Sequence, residues 1–184
     1  MVPVRQERQP SMADFAHVQH PLLQLLLAYY LDLRQGRPVP RRSQVSPLDI
    51  PQLLSHVFLY EFDRTSQDFR IRLAGSVVAE KVATARSGAR LSDVFPPAVF
   101  PVVLQRYRRV CVERLVMHNI GRIFHLLGGT GTGERIVMPL QGDDDRTDFL
   151  IGATVYTLAE QEAPRTTGAE PVAITYTPLV PQDN

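Results

Sequence analysis

Apolar positions along this chain recur first at helical spacing, then at strand spacing, then helical again, then strand again. The first helix is expected from Pro21 to Arg34 or Gln35. Pro21 suits the first helical position, where its missing N–H would be an orphan anyway, and Gly36 is a natural stop. Leu22, Leu23, Leu25, Leu26, Leu27, Tyr29, Tyr30, Leu31 and Leu33 cover nearly its whole circumference, although a surface helix needs only one apolar stripe. The helix is therefore expected to meet two partners: its own sheet and a second subunit, with Leu22, Leu26, Tyr29, Tyr30 and Leu33 at the dimer interface.

A short helix over 47–55 follows, with Ser46 as its cap and Pro47 and Asp49 in its first turn. Residues 56–63 and 69–74 predict two strands joined by a polar turn. Helical signals then occupy the middle of the chain: a helix over 77–84 capped by Ser76, a turn at 91–95, and a long helix over 98–115. Phe100, Leu104, Tyr107, Cys111 and Leu115 recur on that helix at spacings of four and three and mark its buried stripe. Three strands close the pattern at 117–127, 134–141 and 149–157, linked by the glycine-rich 128–133 and by 142–147. A ββ–ααα–βββ order predicts an α+β fold, a five-stranded antiparallel sheet with helices on one face, because hairpins join neighbours and only one long crossover is needed. The strands at 56–63 and 149–157 are apolar at odd and even positions alike, so both faces of the sheet are expected to be covered, one by the internal helices and the other by the N-terminal helix or a dimer partner. Pro139 falls inside a strand, where a bulge or an early end is expected. Residues 1–16 are read as a mobile arm, 17–160 as the domain, and 161–184 as a tail that turns β-like at 172–176.

Composition bounds the function. At 184 residues, 44% hydrophobic and 21% charged, the chain reads as one ordinary globular domain, and a net charge of +1 gives no overall field for nucleic acid or a membrane surface. A single cysteine fits a reducing compartment. No signal peptide is recognisable, and 22–33 is too short and too interrupted to span a bilayer. A cytoplasmic protein is expected.

The run YYLDLRQGR at 29–37, then PRRS at 40–43 and PLDI at 47–50, resembles the start of a PAS-like family common in alphaproteobacteria. FRIRLAGS at 69–76, LSD at 91–93 and MPL at 138–140 resemble its later motifs, with Tyr30 where the family often has tryptophan. The resemblance covers roughly 21–158. It implies a PAS fold and a sensory or regulatory role, and it carries over no catalytic residue.

With that fold, a pocket between sheet and helices is expected to hold a small ligand among Leu59, Ile71, Arg72, Leu73, Phe95, Tyr107, Met138 and Leu150; no cofactor is specified. The same residues could simply fill an ordinary core. Output would pass in trans to an unidentified signalling protein. Other chemistry reads as structural. Cys111 sits mid-helix on an apolar stripe, as a small hydrophobe does. His118 and His125 lie an odd number apart on one strand and cannot share an ion. Asp143, Asp144 and Asp145 lack the spacing of a calcium loop. Arg106, Arg108, Arg109 and Arg114 read as a solvated helix face, and 128–133 is glycine-rich without the lysine or helix of a phosphate loop. The alternatives are a small cone-shaped isomerase or dehydratase, which would need His118 or Glu61 in the pocket, and a purely structural dimerisation module.

Overall fold

A computed structural model describes residues 9–81, 86–121, 132–157 and 173–180. Helix α1 spans Pro21–Leu33, strand β1 Val57–Asp63, strand β2 Asp68–Ala74, helix α2 Ser76–Lys81, helix α3 Leu91–Val94 and helix α4 Phe100–Glu113; strands β3 Leu115–Gly121, β4 Thr132–Leu140, β5 Phe149–Thr157 and β6 Ala173–Pro178 complete the order. All six strands form one sheet in the order β2-β1-β5-β4-β3-β6, every pair antiparallel. The sixth strand lies in the β-like part of the expected tail, as an edge strand paired with the outer edge of β3.

Both faces of the sheet are covered, as the unbroken apolar strands require. On one face α1 buries Leu23, Leu26, Leu27 and Tyr30 against Leu59, Val116, Ile136, Met138, Leu140 and Ile151. On the other α4 buries Val103, Tyr107, Val110 and Cys111 against Phe58, Tyr60, Phe69, Ile71, Val137 and Leu150. The expected arm contributes too. Met12–Phe15 is a 3-10 turn, and Phe15 is buried in the α1-face core.

Several elements differ from expectation for identifiable reasons. The helix expected over 47–55 is two 3-10 turns, Pro47–Asp49 and Pro51–Leu53. Pro51 disfavours helical geometry in Ile50, which sits at φ −131°, ψ 44°. Helix α4 stops at Glu113 because Arg114 turns left-handed (φ 52°, ψ 57°), so Leu115 opens β3 and does not close the helical stripe. Pro139 neither bulges nor ends its strand. The β3–β4 ladder stops at Met117–Val137, so no β3 partner needs the missing N–H, and the Pro139 carbonyl accepts from Tyr30 Oη at 2.7 Å. The irregularity lies in β2: Leu59 pairs with Leu73 but Tyr60 pairs with Ile71, leaving Arg72 as an extra residue. That insertion moves Leu73 off the face that Phe69 and Ile71 share.

Candidate functional site

The cross-strand registers Asn119–Arg135 and Arg135–Thr154 set three polar residues in a row across β3, β4 and β5, on the face covered by α4. Arg135 Nε donates to Thr154 Oγ1 at 2.9 Å, and its guanidinium lies 5.9 Å from the centroid of the Phe58 ring. Tyr60, Tyr107 and Tyr156 stand around it, Tyr107 hydrogen-bonded to it from the overlying helix. Aromatic contacts line the surround: Phe58 stacks on Tyr60 at 4.7 Å along β1, and Tyr107 from α4 meets Phe69 of β2 edge-on at 6.0 Å. Gly152 makes the arrangement possible, since a Cβ there would run into the Phe58 ring and the Ile136 carbonyl.

Burial pushes the Tyr60 phenol far up and the Tyr156 phenol up to about 12, with Arg135 opposing both. Burial also works against the charge of Arg135, but the surrounding phenols outweigh it and keep the guanidinium a cation. Asn119 is buried, and its Oδ1 has no hydrogen-bond partner among the described residues. A buried amide oxygen left this way costs about 1–3 kcal/mol unless something donates to it.

The next residue back along β4 faces the opposite way. Glu134 is buried on the α1 face, where its Oε1 accepts from His118 Nε2 at 2.8 Å and from the Gln19 N–H at 2.7 Å, while Oε2 accepts from the His20 N–H at 2.9 Å. Further round that face Arg34 is buried at the end of α1, donating to the Arg37, Pro38 and Leu179 carbonyls.

Of the eight residues expected to line a pocket, Ile71, Phe95, Tyr107 and Leu150 gather on the α4 face. Leu59 and Met138 are buried on the opposite face, under α1. Leu73 is 38% exposed, and Arg72 is an exposed side chain paired with Glu61 at the rim of an open cleft of about 560 Å³. Among the dimer residues, Leu26 and Tyr30 are fully buried in the chain's own core, so neither can reach a partner; Leu22, Tyr29 and Leu33 remain half-buried. Tyr29 is held by Asp49 and Ser46, and Leu25, absent from the expected set, is exposed beside it.

Cys111 lies under the edge of a smaller cleft of about 280 Å³, its thiol pushed up by burial, with nearby Asp148 adding to the shift. Asp145 pairs with Arg41 and Asp144 with Arg146. Among the described residues no group of three His, Cys, Asp or Glu is placed to hold a metal ion, and no helix is long and apolar enough to cross a membrane. His125 and most of 128–133 lie outside the described residues.

Sequence reasoning missed Asn119, Glu134, Arg135 and Arg34 as a set. The signal was present: two opposite charges, Glu134 and Arg135, stand side by side at the head of the apolar run Ile136–Leu140, and strand alternation sends them to opposite faces. No curated protein matches the chain. A family model described as a PAS domain matches residues 18–155. That segment contains the helical middle, strands β1–β4 and all but the last two residues of β5, with α1 and the Arg135 row inside it; the chain belongs to the PAS domain family.

Proposed function

We propose that this PAS domain is a sensor that takes up a small polar ligand between the sheet and α4, and signals without catalysis to a protein in trans. The observation that carries the reading is the row Asn119–Arg135–Thr154 flanked by Tyr60 and Tyr156 from the sheet and covered by Tyr107 from α4. An ordinary apolar core has no use for a guanidinium and a buried amide oxygen set under its packing helix; few convergent polar groups in an apolar setting are what fixes a ligand's orientation. His118 is committed to Glu134, and Glu61 to Arg72 in an open cleft, so neither supports an acid or base at this site.

The reading extends to a homodimer through the outer stripe of α1, where Leu22, Leu25, Tyr29 and Leu33 are left incompletely covered. Native mass spectrometry of freshly purified protein tests both parts. The expected result is a dimer carrying a small adduct, with the adduct lost in Arg135→Met. A monomer would overturn the dimer, and an adduct-free protein whose stability no small-molecule library raises would overturn the ligand reading.

A further inference from the structure

The segment that leads into α1 is anchored to the sheet at one polar point. Three donors converge there on the buried Glu134 carboxylate: the Gln19 and His20 N–H groups and His118 Nε2. His17 lies edge-on to His118, ring centroids 5.0 Å apart, and its Nε2 is buried with no hydrogen-bond partner among the described residues. His20 is turned onto its own helix, its Nδ1 accepting from the Leu22 N–H at 3.2 Å. The titratable groups that face one another here, among the described residues, are therefore His17 and His20 from the segment, His118 from β3 and Glu134 from β4. Strand β6 brings only Thr175 opposite His118, and the facing end of α1 adds Leu22 and Gln24, neither charged.

The cluster is complete as it stands, with the Glu134 carboxylate accepting from all three donors. A proton added at His17 has no favourable place, because it would find no acceptor at Nε2 and would stand against the edge-on His118 ring. We propose that His17, His118 and Glu134 form a proton-operated latch, which holds residues 17–20 and the start of α1 on the sheet and releases them as the pH falls through the histidine range. Burial, then the neighbouring His118, hold His17 below its ordinary value of 6.5, with Glu134 opposing. The freed segment thus binds the proton that the docked one refuses, so docking is intact above about pH 6.5 and weakens below it. The latch sits on the far side of the sheet from Arg135 and does not depend on a ligand there.

Amide exchange of the full-length protein, followed by NMR from about pH 8 to about pH 5, tests it across the histidine range. Protection at Gln19 and His20 is expected to fall on the order of tenfold relative to Ile136 and Ile151, after correction for intrinsic rates. Glu134→Gln should release both amides already at neutral pH while the core amides stay protected. His17→Phe keeps the ring packing, removes the proton site, and should move the release to lower pH. Protection at Gln19 and His20 that follows the core at every pH overturns the proposal, as does an unchanged midpoint in His17→Phe. That second variant decides the matter should Glu134→Gln fail to fold.

Discussion

Glu134 and Arg135 are chain neighbours with opposite charges on opposite faces of one strand, and the two faces treat them differently. The carboxylate is met by one histidine side chain and by two backbone N–H groups, which the chain itself fixes. The guanidinium is met by a threonine hydroxyl, phenols and the face of a ring, groups that can turn or yield. Backbone donors cannot follow a partner that leaves, so the α1 face behaves as an anchor; hydroxyls can re-pair, so the α4 face is the adaptable one.

The largest expected effect tests the α4 face sterically. Gly152→Val has no space beside Phe58 and the Ile136 carbonyl, and should cost about 3 kcal/mol or more in urea unfolding. Next comes the contrast itself. Glu134→Ala strands three donors in a buried site and should cost about 2–3 kcal/mol, whereas Arg135→Met should cost about 1 kcal/mol because hydroxyls can re-pair. Equal losses would erase the distinction between the faces.

Tyr30→Phe removes the hydrogen bond to the Pro139 carbonyl and should cost about 1 kcal/mol, with the denaturant slope unchanged. The smallest effect is at high pH. Tyr156 is raised from 10.0 to about 12 in the fold, so the folded state holds its proton longer; its contribution is intact below pH 10 and is lost as the pH rises to about 12. Absorbance titration against Tyr156→Phe should show one phenol ionising late.

Much of this was legible in the sequence. The strand at 149–157 has the bounds its pattern predicts, and its apolar run on both parities required two covered faces. The exposed position of Leu73 was hidden because one inserted residue, Arg72, reverses strand parity, and nothing in FRIRLAGS marks an insertion. Leu26 and Tyr30 were placed outward because a helix apolar all round does not say which stripe its own sheet claims. Leu59 and Met138 were assigned to the pocket on hydrophobicity, which cannot choose between two covered faces. The Arg135 row needed the registers of three strands, which no local pattern fixes.

The contact between Arg34 and Leu179 has a consequence for the smallest piece that can fold. The family match ends at 155, yet Arg34 gives a charged hydrogen bond to the Leu179 carbonyl, Leu179 itself fills part of the α1-face core, and β6 zips onto β3 beside it. A polypeptide cut after Thr157 would lose that plug, strip a neighbour from β3 and leave a guanidinium short of an acceptor. The autonomous unit therefore reaches beyond the family boundary, and its closing stitch joins the first helix to the last strand.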